Sequence, residues 1–112
     1  MRKKRNQIVV EKSSGNVFAD PGLPNPEERL AKADLAIAIA REIQARGLTQ
    51  AEAAELLGVA QPDISNLMRG RLFGYSIERL TRLLNALGRD VVIRVRRARA
   101  GATLGHLRVA AG

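Results

Sequence analysis

Cysteine is absent from the 112 residues, so disulfides and thiolate metal centres are excluded. One histidine, His106, is too few for an imidazole cluster or for a Ser/His relay with any redundancy. Glycine-rich phosphate-cradling loops are missing, and the helical carboxylates read as caps and solvated faces. No active site, metal, cofactor or small-molecule substrate is therefore expected, and the chain is not read as an enzyme. No run approaches the roughly 18 apolar residues of a membrane helix. The basic start Met1-Arg2-Lys3-Lys4-Arg5 is not followed by a signal-peptide apolar segment. The expectation is a cytoplasmic protein that does not touch the membrane.

What is present is positive charge, +8 from 19 basic and 11 acidic residues, which suits a polyanionic partner. Its distribution is uneven: +3 over residues 1–26, 0 over 27–88 and +5 over 89–112. Inside the middle segment, 27–59 carries −2 and 60–88 carries +2, so the later helices form the positive side. Basic tails that merely aid solubility are the plainer explanation of the same excess.

Four segments follow from the residue pattern. Residues 1–24 mix charge, Ser13-Ser14-Gly15 and proline without a helical period, which reads as a flexible basic arm. From Asn25 to Gly88 the signals are helical. Asn25-Pro26-Glu27-Glu28 supplies an N-cap, a first-turn proline and two carboxylates at the positive end of the dipole. The stripe Leu35, Ile39 and Ile43 then carries a helix over about 26–46, which stops at Gly47. Thr49-Gln50-Ala51-Glu52 is a capping box for a second helix ending at Gly58. Gln61-Pro62-Asp63 opens a third, running to about Arg69 and closed by Gly70. Ser76 caps a fourth, whose Ile77, Leu80, Leu83, Leu84 and Leu87 make a buried face before Gly88.

Residues 89–97 change period, with Val91, Ile93 and Val95 on one side and Val92, Arg94 and Arg96 on the other. A lone strand after four helices lacks a partner, so pairing with a second copy through Val91, Val92, Ile93 and Val95 is expected; a frayed basic tail is the alternative. Residues 98–112 read as a flexible tail. The fold class expected is all-α: a helical bundle with a basic arm and a short C-terminal β-strand expected to pair in a dimer.

The second and third helices meet the demands of a helix-turn-helix, whose helices cross steeply around a short turn. Ala54 is the small residue at the crossing, and Gly58 supplies the left-handed turn. Leu57, Val59, Ile64 and Leu67 fill the shared core. An ordinary helical hairpin would also want caps and apolar spacing, but the outer face of the third helix argues for a reader. Gln61 and Asn66 carry amides suited to adenine, Ser65 is adaptable, and Arg69 and Arg71 suit phosphates or guanine. With Gln50 and Pro62 they make the candidate DNA-binding set. Asp63 places a negative charge near the expected phosphate path, and Ala60 stands where a capping Ser or Thr would help.

The stretch from Leu48-Thr49-Gln50-Ala51-Glu52 through Gly58-Val59 to Gln61-Pro62-Asp63-Ile64-Ser65-Asn66-Leu67, then Arg69-Gly70-Arg71, resembles the Cro/repressor-like (XRE) helix-turn-helix family. Ser13 to Asp20, Leu23 to Glu28 and Leu87-Gly88-Arg89-Asp90-Val91 extend the likeness to a compact group of bacterial regulators that includes HigA-like antitoxins. Pro21, where an apolar residue is expected, and the basic first five residues depart from the pattern. The resemblance implies a four- or five-helix repressor fold, a homodimer on a palindromic double-stranded operator, and neutralisation of a RelE/HigB-like toxin. Val17 and Phe18 of the arm are then candidate toxin contacts. A stand-alone transcriptional regulator without a toxin is the alternative.

Overall fold

The computed structural model describes residues 26–111. Val17, Phe18 and the rest of the expected arm lie outside the described residues. Four α-helices and no strand occur among those described: α1, Pro26–Ala45; α2, Gln50–Leu57; α3, Gln61–Met68; α4, Ile77–Ala86. The all-α expectation holds, and each helix ends within about a residue of where its caps and glycines place it.

Local chemistry explains those ends. Gly47 adopts φ 65° and Leu48 N–H reaches back to the Ile43 carbonyl at 3.1 Å, which closes α1. The Thr49 hydroxyl accepts from Glu52 N–H at 3.1 Å while the Glu52 carboxylate accepts from Thr49 N–H at 2.8 Å, so the capping box is complete. The Ser76 hydroxyl accepts from Arg79 N–H at 3.0 Å at the start of α4.

The core forms where α1 packs on α4 and α2 packs on α3, with α1 also touching α3. Ile39, Ile43, Ile64, Leu67, Leu80 and Leu87 are its largest fully buried side chains. Each such burial is worth about 1.5–3 kcal/mol over leaving the side chain in water. At the far end of the bundle Arg46 Nη2 donates to the Leu87 carbonyl, and Glu42 accepts from Arg46 at 3.4 Å and from Arg89 at 3.1 Å. The Arg89 bond, seconded by Arg46, holds the Glu42 carboxyl below its ordinary range.

Beyond Gly88 the backbone belongs to no ladder. The strand expected over 89–97 does not form: no other described segment makes a ladder with it, and a strand needs such a partner. Val91 is half-buried against the core, whereas Val92, Ile93 and Val95 face outward, so the expected alternation of faces is not kept. The last residues return to α1: Val109 packs on the core, and the Glu27 carboxylate accepts from Leu107 N–H at 3.1 Å and contacts His106. The Leu107 N–H, followed by His106, lowers the Glu27 pKa from its usual value.

Candidate nucleic-acid interface

The turn between α2 and α3 sets the orientation of α3. Ala54 is buried beneath the crossing, which lets the two helices approach. Gly58 takes φ 70°, and Val59 N–H bonds the Ala54 carbonyl at 3.0 Å, so the chain reverses without a strained side chain. Ala60 is extended at φ −74° and starts α3 without a side-chain cap, the gap anticipated from its residue type. Pro62 follows in the first turn, where its missing N–H costs no helical bond.

Ile64 and Leu67 are buried, with Met68 half-buried beside them, and so fix which side of α3 faces the bundle. The other side carries Pro62, Asn66 and Arg69, all exposed, with half-buried Ser65 next to them and exposed Gln61 at the edge. The expected α3 set therefore occupies one solvent-facing stripe. Gln50 is exposed at the first position of α2, and Arg71 is exposed just beyond α3, its backbone N–H on the Asn66 carbonyl at 2.8 Å. This surface can offer two amides, a hydroxyl and two guanidinium groups to base edges and phosphates.

Three residues outside the expected set complete the surroundings. Tyr75 is buried, and its hydroxyl donates to the Asp63 carbonyl at 3.1 Å, tying the α3–α4 loop to the first turn of α3. Burial raises the Tyr75 pKa, with Arg79 opposing the shift. Arg79 lies 4.5 Å from the Tyr75 ring centroid and pairs with the Asp63 carboxylate at 3.7 Å. The pair is partly exposed and worth at most about 1 kcal/mol, but it offsets the negative charge that Asp63 adds near the stripe. Phe73, between Arg71 and Gly74, is fully exposed. The contacts of Tyr75 and Arg79 with Asp63 span sequence separations that no local pattern signals; an aromatic in a loop was the visible cue for Phe73.

Arg69 and Arg71 pair with no carboxylate among the described residues, whereas Asp63 and Glu78 at either end of the stretch are engaged by Arg79 and Arg82. Residues 64–77 contain no acidic side chain. Elsewhere, no group of three or more His, Asp or Glu side chains that could hold a metal occurs among the described residues. His106 meets Glu27 at the surface, on α1 and not on α3. No helix among those described is long and apolar enough to cross a membrane.

A family described as a helix-turn-helix domain matches residues 17–96, most of the chain. The chain belongs to the XRE-type helix-turn-helix family. A solved chain named as an XRE-family transcriptional regulator is 42% identical to this regulator, covers 80% of it over its own full length, and superposes with a TM-score of 0.74. No curated protein matches the chain. Membership makes this regulator a DNA-binding protein of the transcriptional class.

Proposed function

We propose that the protein is a sequence-specific repressor that binds a palindromic operator as a homodimer through α3. The observation that carries this reading is the α3 stripe: Gln61, Ser65, Asn66 and Arg69 point outward from a helix locked by Ile64 and Leu67, with Arg71 beside them. Gln61 and Asn66 discriminate bases, Arg69 and Arg71 take phosphates, and Gln50 and Pro62 approach the backbone at the two helix starts. Two copies would place their α3 helices about 34 Å apart in successive major grooves.

The dimer is proposed to form through residues 89–97. Val92, Ile93 and Val95 are 78%, 81% and 91% exposed, which leaves an apolar segment with unpaired backbone groups available to a second copy. Footprinting over the DNA upstream of the protein's own reading frame tests the reading. A two-fold symmetric protected site is expected, lost with Ile93→Asp/Val95→Asp while far-UV circular dichroism is retained. Protection of a single half-site by the wild type would overturn the dimer.

The same protein is proposed to be the antitoxin of a type II pair, neutralising a RelE/HigB-like ribonuclease and repressing its own operon. This part rests on the likeness of residues 13–28 and 87–91 to HigA-like proteins. Val17 and Phe18 are the proposed toxin contacts. Co-purification from the native host is expected to recover a small basic ribonuclease; an unrelated neighbouring reading frame and no such partner would leave a stand-alone regulator.

A further inference from the structure

Phe73 is 104% exposed, a large aromatic with no packing role among the described residues. It is nonetheless held in place. Leu72 before it is half-buried against the core, Tyr75 after it is buried and bonded to α3, and Tyr75 N–H closes the turn on the Leu72 carbonyl at 3.0 Å. Gly74 provides the φ of 88° that such a turn needs at its third position. The result is an apolar side chain displayed from a pinned turn whose two ends are fastened to α3, through Arg71 N–H on Asn66 and Tyr75 hydroxyl on Asp63.

The chemistry around it points to one kind of partner. The flanking surface is acid-free from residue 64 to residue 77, its two arginines have no carboxylate partner among the described residues, and the carboxylates at its borders are ion-paired. A displayed aromatic amid uncompensated cations matches a polyanion that also has apolar faces, which a nucleic-acid backbone has in its sugars.

We propose that Phe73 is a DNA contact, packing on deoxyribose at the groove edge beside the phosphates that Arg69 and Arg71 take. This rests on the DNA-binding reading of α3. Sugar packing adds affinity without displacing counterions, so its signature differs from that of the arginines.

The test uses full-length protein and a fluorescein-labelled duplex selected from a random 20-base-pair library on the wild type. Phe73→Ala is expected to weaken binding roughly tenfold with the salt slope unchanged. Arg71→Ala is expected to lower that slope by about 0.9. Because the chain has no tryptophan, Phe73→Trp gives a single emission band, expected to shift and quench when the duplex saturates the protein. Wild-type affinity for Phe73→Ala, or tryptophan emission unmoved by saturating duplex, would overturn the proposal and leave Phe73 to a protein partner. Failure of the wild type to enrich any duplex would remove the DNA reading and this contact together.

Discussion

Between residues 26 and 88 most branched side chains enter a core, with Ile39, Ile64, Leu80 and Leu87 at 0% exposure and Leu30, Ile37 and Leu56 left at the surface, whereas beyond Gly88 Val92, Ile93 and Val95 stand almost wholly in water. Both regions are rich in aliphatic residues, so hydrophobicity alone does not separate them. Partners do. In the helical region the buried stripe of each helix has a neighbouring element to face, and the glycine turns at 47 and 58 bring those stripes together. The later segment belongs to no helix or ladder and packs on the core through Val91 and Val109, with Val92, Ile93 and Val95 exposed. The difference teaches that the helices supply one another's packing partners, while Val92, Ile93 and Val95 have none among the described residues.

The sharpest way to break this contrast is to truncate one aliphatic side chain on each side. Ile64→Ala should cost about 2–5 kcal/mol in urea unfolding, because the vacated space lies under the α2–α3 crossing. Ile93→Ala should change the stability of dilute monomer by less than about 0.5 kcal/mol. Equal losses would show that the later segment packs on the core.

Next in size is the start of α2. Thr49→Ala removes one half of the capping box and should cost about 1 kcal/mol by the same unfolding measurement. Tyr75→Phe deletes the bond to the Asp63 carbonyl while keeping the ring, and about 0.5–1.5 kcal/mol should be lost.

The smallest effect is on pH. Glu27 and Glu42 both titrate below their ordinary value when folded, so the unfolded chain binds protons first as pH falls. Their stabilisation is present above the unfolded value near 4.5 and is lost as pH drops through the lowered folded values. Glu27, at the start of α1, holds Leu107 of the tail, whereas Glu42, near the end of the same helix, holds Arg89. Glu27→Gln should therefore speed exchange of the Leu107 amide at pH 6 and flatten the acid limb, whereas Glu42→Gln should flatten that limb while leaving Leu107 protected.

Much of the fold was legible because its signals are local. A capping box spans four residues, the Ala54–Gly58 spacing fits one turn of helix, and the leucines of α4 repeat on one face; each dictates backbone geometry without reference to distant residues. The candidate DNA-binding residues on α3 could be read for the same reason, since Ile64 and Leu67 determine what the others face. The long-range contacts that brace the fold were not legible. Tyr75 on Asp63, Arg79 on Asp63, Arg46 on Leu87 and Leu107 on Glu27 are made by residues that meet through tertiary packing. The strand at 89–97 shows the converse: an alternating pattern states a preference, and a ladder also requires a neighbour.

The most direct test of α3 as the reading element is competition binding of wild type and Gln61→Ala/Asn66→Ala between the selected duplex and a scrambled duplex of the same composition, at fixed salt. Each lost amide contact should remove about 1–3 kcal/mol of discrimination. The double variant should bind both duplexes with nearly the affinity the wild type shows for the scrambled one. Undiminished preference for the selected duplex would contradict the assignment of base reading to this face.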